Sequence, residues 1–276
     1  MKPELNIILS SLFVETGYDF RHYRESTLNR RIARRLQATG GLSPSLYLTY
    51  LQENREEQRR LVKDLTIHVT EFFREPEDWE IVRKTVIPQL LDTKARKGTE
   101  IKVWSAGCAT GEEAYSLAIL LREATSDFVP PTSILGTDLD TDSLQQAREG
   151  VYSKDKLKSV SPDRHKKYFL MVHDEQYQIS PKIKEGVDFR QLDLVNVTMP
   201  EKLDLVSCRN VLIYFSKELQ EKVLLKFYEV LRPDGFLWLG KAESLWGKTR
   251  ELFECVDKGA KIFRRVFPVK PRQYVS

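Results

Sequence analysis

Two adjacent glutamates sit where a nucleotide-binding protein usually places its phosphate site. They are Glu112 and Glu113 in the stretch IKVWSAGCATGEEAYSLAILLR, residues 101–122. Ile101 to Ser105 is apolar and β-prone, as a strand buried on both faces should be. Gly107 and Gly111 bracket a short turn in which missing Cβ atoms let a ligand approach the backbone. A helix is predicted from about Thr110, whose spacing to Glu113 matches a capping box. Its apolar face is Tyr115, Leu117, Ala118, Leu120 and Leu121. Strand, glycine turn and helix start form the opening of a nucleotide-binding α/β unit. The sign of the charge is the informative part. Free N–H groups and the helix dipole hold phosphates at such a terminus, and two carboxylates there repel a pyrophosphate. They suit a cationic, phosphate-free nucleoside. S-adenosylmethionine (SAM), with its sulfonium, ammonium and adenosine, is such a ligand. The plainer reading is that both glutamates only complement the helix dipole. The chain has no G-x-x-x-x-G-K-[ST], and this turn has no G-x-G-x-x-G, so two common phosphate-binding loops are excluded.

The elements around this stretch follow from pattern. VPPTSILGTDLDTDSLQQAREG predicts a second strand over Ser133 to Thr137. Asp138 stands at its C-terminal end, where a Rossmann-like unit places its ribose-binding carboxylate. As a mere cap it would compete with Asp140 and Asp142. Upstream, residues 1–74 read as all-helical. Helices are predicted over about 3–15, over 25–38, through Tyr47, Tyr50 and Leu51 after a Ser43 or Ser45 cap, and from about Glu56 to Leu65. The second carries Leu28, Ile32 and Leu36 on one face, with Arg30, Arg31, Arg34 and Arg35 turned away. Arg21 and Arg24 bring the set to six arginines against the single Glu25. Such an imbalance indicates either a solvated face or an anionic partner. The interleaved aromatics of a single-strand nucleic-acid binder are not evident.

TIHVTEFFR (66–74) joins the helical part to the α/β core. Glu75 to Leu91 is an amphipathic stretch that Pro88 kinks or splits. Residues 151–188 break the βαβ rhythm. A helix over Ser161 to Tyr168 and a hairpin around His173–Asp174–Glu175 read as a subdomain inserted at about 165–186. Strands resume at Val187 to Gln191 and Leu203 to Ser207. A helix over 217–231 ends at RPDG, and Phe236 to Gly240 and Lys261 to Val266 form a final antiparallel edge pair.

With 276 residues the chain can hold one α/β core and a smaller appended domain. Cys108, Cys208 and Cys255 have no C-x-x-C or zinc spacing, which fits a reducing compartment and no metal site. No run approaches the ~20 apolar residues needed to cross a bilayer. The apolar start is interrupted by polar residues and follows helical spacing, unlike a signal peptide. The expectation is a cytoplasmic chain without membrane insertion.

Taken in order, TIHVTEFFR, VWSAGCATGEEAYS, TDLDTDSLQQAREGVY, FRQLDL, SCRNVLIYF and RPDGFLWLG follow a helical part with a basic helix. Together they resemble the chemotaxis-receptor glutamate methyltransferases of the CheR type over nearly the whole chain. The resemblance implies an α/β, Rossmann-like SAM-dependent methyltransferase fold, seven-stranded with an antiparallel last strand. It implies an all-α domain over 1–74 and a methyltransferase domain over 75–276, with the small β-subdomain inserted. The activity implied is methyl transfer from SAM to glutamate side chains on the cytoplasmic helices of chemoreceptors, leaving S-adenosylhomocysteine. The enzyme would be a monomer working at receptor arrays on the inner membrane face.

Position by position, the resemblance places Thr70 and Arg74 over the cofactor and the substrate carboxylate. Gly107 falls in the cofactor turn, Glu113 on the methionine part and Asp138 on the ribose. Asp193–Leu194 and Arg209–Asn210 flank the adenine and the methionine end, and Tyr214 faces the methyl group. Three positions depart from the family pattern. His68 stands for the usual Asn at a cofactor contact, Asp193 for the Asn of an Asn–Leu pair, and Lys241–Ala242 for His–Ser ahead of Glu243.

The implied reaction needs neither metal nor general base, because a glutamate with a reference pKa of ~4.3 is already ionised at neutral pH. The protein's part is alignment and desolvation. Arg74 is expected to orient the carboxylate, and Arg21, Arg24, Arg30, Arg31, Arg34 and Arg35 to dock the acidic receptor bundle. The turn in MVHDEQYQ is short and lacks glycine, which predicts no grip on a receptor C-terminal pentapeptide. Two rivals stand beside this reading. A nucleic-acid methyltransferase would need a [DN]-P-P-[YF] loop, and CRNVLIYF holds that place. A non-catalytic SAM-binding adaptor is supported only by the His68 and Asp193 departures.

Overall fold

The computed structural model describes residues 2–66, 69–97, 99–125, 132–195 and 202–267. The chain forms two compact units, one of residues 1–68 with 214–219 and one of residues 69–213 with 220–276.

The first unit holds helices α1 (Lys2–Thr16), α2 (Glu25–Ala38), α3 (Pro44–Glu53) and α4 (Arg55–Leu65). Their ends follow the expected chemistry. Ser43 Oγ accepts the Leu46 N–H at the start of α3, and the Asn54 side chain accepts the Glu57 N–H at the start of α4. Leu28 and Ile32 of α2 are buried as the apolar spacing requires. The arginine imbalance is smaller than the local sequence suggests, because carboxylates meet three of the six side chains. Arg35 makes a bidentate pair with Glu57 (2.9 and 2.6 Å), and Tyr47 donates to the same carboxylate at 2.8 Å. Burial and this carboxylate push the Tyr47 phenol up. Arg34 pairs with Asp64, Arg21 with Asp19 at 2.7 Å, and Arg24 Nε donates to the Phe215 carbonyl at 3.2 Å. Among the described residues, Arg30 and Arg31 make no ion pair.

The second unit opens with α5 (Pro76–Thr85) and α6 (Ile87–Lys97), the split at Val86 being the one Pro88 predicts. Then come β1 (Ile101–Ala106), α7 (Glu112–Ala124), β2 (Thr132–Asp138), α8 (Thr141–Glu149) and β3 (Val151–Ser153). A 3₁₀ turn at Lys154–Leu157 leads to α9 (Pro162–Tyr168), β4 (Phe169–His173), β5 (Gln176–Ile179), α10 (Pro181–Lys184) and β6 (Val187–Gln191). The unit finishes with β7 (Leu203–Cys208), α11 (Lys217–Val230), β8 (Leu231–Leu239), α12 (Thr249–Leu252), β9 (Phe253–Asp257) and β10 (Ile262–Arg265). Among the described residues no helix is long and apolar enough to cross a membrane.

The main sheet has the order β6-β2-β1-β7-β8-β10-β9, and β10 runs antiparallel between β8 and β9. β9 is absent from the sequence reading. RPDG does not precede the next strand as expected but forms an irregularity within β8. Leu231 pairs with Leu203 on one side of it and Phe236 with Leu205 on the other. A second sheet, β3-β5-β4, is the inserted subdomain, and it recruits Val151–Ser153, ahead of the expected span. Its edge strand β4 exposes Leu170, Met171 and Val172.

Candidate active site

The sheet order reverses at β1 and β7, and ligands of open α/β sheets bind outside the carboxyl ends of the strands at such a point. The residues singled out from sequence in this unit gather at those ends. The glycine turn follows β1, Asp138 closes β2, Asp193 and Leu194 follow β6, and Arg209 and Asn210 follow β7. Lys241 and Glu243 follow β8.

The glycine turn differs from its expected form in two ways. Helix α7 starts at Glu112 with Gly111 at its cap, and the Thr110 hydroxyl donates to Glu112 Oε2 at 2.7 Å. The capping box of Thr110 and Glu113 is therefore not formed. Gly107 and Gly111 have φ of 76° and 91°, where a side chain is disfavoured. A Cβ on Gly107 would lie 2.4 Å from Val211, and one on Gly111 2.8 Å from Ala147. The missing side chains thus admit protein atoms from other segments.

Asp138 is 9% exposed, and its carboxylate accepts the Ala109 N–H at 2.8 Å and the Asp140 N–H at 3.0 Å. It fastens the glycine turn to the end of β2. Asp140 caps α8 through the Asp142 N–H and the Ser143 hydroxyl, so the capping task falls to it and not to Asp138. The two glutamates separate completely. Glu112 is fully buried, with Lys156 Nζ 3.3 Å from Oε1. Glu113 stays 15% exposed, accepts from Ser105 Oγ at 2.7 Å, and lies 3.7 Å from Arg209 Nη1.

Arg209 is the hub of the strand ends. Its side chain is 2% exposed and its Nη2 meets Glu75 at 2.6 Å, Asp78 at 3.7 Å and the Arg74 carbonyl at 3.2 Å. The guanidinium lies 4.3 Å over the Trp238 ring, which adds a cation–π term. Lys241 Nζ stands 3.4 Å from the other oxygen of Asp78. Burial raises the Asp78 carboxyl above its ordinary range, against the pull of Lys241 and Arg209. Three acidic side chains (Glu75, Asp78, Glu113) thus surround two cations (Arg209, Lys241). A pyrophosphate would be repelled there, whereas a sulfonium and ammonium fit.

Arg74 lies on the joint, between Phe73 (φ 51°) and Glu75 (φ 61°). Two non-glycine residues in the left-handed region cost on the order of 1–3 kcal/mol each and persist only when the surroundings fix them. The fixing bonds are Phe72 N–H to the Lys156 carbonyl (3.1 Å), Phe73 N–H to Ser116 Oγ (3.0 Å) and Trp79 Nε1–H to the Arg74 carbonyl (2.9 Å). The Arg74 guanidinium donates to the Val69 carbonyl at 2.7 Å. Thr70 is half-buried and its carbonyl accepts from Lys156 Nζ at 2.7 Å. Asp193 accepts the Val195 N–H at 2.8 Å, and Leu194 is buried. Tyr214 belongs to the helical unit, where its carbonyl accepts the Arg24 N–H at 2.7 Å. His68 lies outside the described residues.

In sequence, Glu243 carries no signal beyond its place after Lys241–Ala242. In the fold it is 3% exposed and accepts four backbone N–H groups, from Asn210, Val211, Leu212 and Gly240, at 2.6 to 3.1 Å. It shapes the loop after β7, including Asn210 at φ 62°. Burial raises its carboxyl, opposed by those four donors. Lys156, Ser105, Glu75 and Asp78 were also missed. Only Glu75 and Asp78 had a local signal, two acids around a helix start.

The sheet order with its antiparallel β10 and the cation-accepting strand ends define a SAM-dependent methyltransferase. Residues 68–262 match the family described as CheR methyltransferase, SAM binding domain, and residues 3–66 match CheR methyltransferase, all-alpha domain. The chain belongs to the CheR methyltransferase family. It is 33% identical over 240 residues to the chemotaxis protein methyltransferase of Escherichia coli K12, covering 84% of this chain and 81% of that one. It is 32% identical over 248 residues to chemotaxis protein methyltransferase 2 of Pseudomonas aeruginosa, covering 88% and 87%.

Proposed function

We propose that the methyl acceptors of this SAM-dependent enzyme are glutamate carboxylates on the cytoplasmic helices of chemoreceptors. The observation that carries the reading is the acid-rich strand-end cluster, whose Arg209 lies beside Glu113 and holds the carbonyl of Arg74, between the left-handed Phe73 and Glu75. When bound, SAM supplies a methyl group on a sulfonium, with a neutral thioether as leaving group. The acceptor glutamate is ionised at neutral pH with a reference pKa of ~4.3, so no residue need remove a proton. Arg74 orients that carboxylate, since its planar fork holds two oxygens at once. Glu113 takes the ammonium and Asp138 the ribose hydroxyls. Thr70 and Gly107 border the cofactor, and Asp193 and Leu194 flank the adenine. Arg209 and Asn210 fix the methionine end.

Of the six arginines read from sequence, Arg30 and Arg31, which make no ion pair among the described residues, are offered to an acidic receptor bundle. Arg34 and Arg35 already face Asp64 and Glu57, Arg21 faces Asp19, and Arg24 bonds a carbonyl. The short, glycine-free turn between β4 and β5 supports activity without a pentapeptide tether. Measurable binding of an isolated pentapeptide, for instance along the exposed edge of β4, would overturn that part.

The deciding experiment is transfer of labelled methyl from SAM to a receptor fragment. An alkali-labile label on the fragment is expected, as a carboxyl ester requires. A stable label on DNA or RNA, or SAM binding with no transfer, would sink the reading.

A further inference from the structure

We propose that Lys156 is a positioning residue for methyl transfer, clamping the Thr70–Arg74 segment to the first turn of α7. The inference rests on the reading of Arg74 as the group that orients the acceptor. Lys156 grips the segment twice. Its Nζ donates to the Thr70 carbonyl at 2.7 Å, and its own carbonyl accepts the Phe72 N–H at 3.1 Å. The same ammonium stands 3.3 Å from Oε1 of Glu112, whose side chain is fully buried. On the other flank, the Phe73 N–H bonds Ser116 Oγ, whose hydroxyl donates to the Glu112 carbonyl at 2.7 Å. One turn of α7 therefore holds residues 70–73 from two sides, directly ahead of the left-handed pair that brackets Arg74.

A lysine that served only to neutralise Glu112 would have no need of a second bond aimed at the joint. The 3₁₀ turn after β3 delivers Lys156, so the inserted subdomain contributes to the joint through its first strand. Tyr152 of β3 reinforces the attachment by donating to the Thr110 carbonyl at 2.7 Å.

The test compares Lys156→Met, Lys156→Arg and the double variant Lys156→Met with Glu112→Gln. The readouts are kcat on a receptor fragment, SAM affinity, thermal midpoint and hydrogen exchange at Phe72 and Phe73. The single Met variant leaves a buried carboxylate unpaired and is expected to lose both stability and activity. In the double variant the midpoint should recover while kcat stays at least about tenfold low, with SAM affinity within about threefold of the parent. Exchange at Phe72 should rise, and Lys156→Arg should regain part of kcat. Lys154→Met, which breaks only an exposed pair with Glu175, should leave kcat unchanged. Recovery of kcat together with the midpoint in the double variant would show that the lysine only balances charge, and would overturn the proposal. Unchanged exchange at Phe72 would overturn the clamp whatever the activity. If the parent enzyme transfers no methyl yet exchange rises, the reading of Arg74 fails and the clamp stands.

Discussion

The arginines of helix α2 and the glutamates at the start of α7 are each clusters of one charge sign, and the fold treats them by the same rule. In α2, Arg35 is taken up by the buried Glu57 and Arg34 by Asp64, while Arg30 and Arg31, among the described residues, make no ion pair. In α7, Glu112 is buried against Lys156, while its neighbour Glu113 keeps contact with solvent beside Arg209. Each cluster thus contains charges engaged in holding the fold and charges available to something outside it. An engaged charge fails by destabilising the protein, because its buried partner is left unpaired. An available charge fails by weakening binding while the fold survives.

Four variants would break or sharpen that contrast. The largest effect is expected from Arg35→Glu, which sets a second carboxylate against the 1% exposed Glu57. Its stability should fall by about 3–5 kcal/mol in denaturant unfolding, and near-native stability would mean the pair is not structural. Arg74→Ala should lower kcat on a receptor fragment by about 10²–10³-fold with SAM affinity unchanged, since only alignment is lost. Near-normal kcat would remove Arg74 from the role proposed. Glu113→Gln should weaken SAM by about 10–100-fold, the equivalent of ~1.5–3 kcal/mol for a charged hydrogen bond. Calorimetry would read this as loss of about half to most of the stabilisation, ~2.7 kcal/mol at a hundredfold excess over Kd, that SAM confers on the parent. The smallest change is expected from Arg30→Glu with Arg31→Glu. Unfolding stability should stay within about 0.5 kcal/mol, while affinity for the receptor fragment falls about three- to tenfold and less so in high salt. Equal loss of receptor and SAM binding would indicate misfolding instead.

Much of the fold was legible because its signals are local. The four N-terminal helices, the strands at Ile101–Ala106 and Leu203–Cys208, and the hairpin turning at Asp174–Glu175 follow from apolar spacing, caps and breakers. The strand Phe253–Asp257 escaped because it is a sheet edge. One buried phenylalanine heads a mostly solvent-facing run there, so neither an apolar block nor a clean alternation appears. Val151–Ser153 escaped because a three-residue strand is defined only by its partner β5. The capping box at Thr110 failed for a related reason: the pattern fixes spacing, but the fold starts the helix at Glu112 with Gly111 at its cap, so Thr110 does not hold the N-cap position.

By itself the sequence determined the fold class, the strand-end placement of Asp138 and Arg209, and the cationic character of the cofactor. Those properties depend on contiguous residues and on the sign of nearby charge. Only the tertiary structure decided which charges are engaged. Glu57 for Arg35, Lys156 for Glu112 and Glu243 for the loop at 210–212 all arrive from segments remote in the chain. Burial then makes each such pairing obligatory, because an unpaired charge or N–H group removed from water is costly.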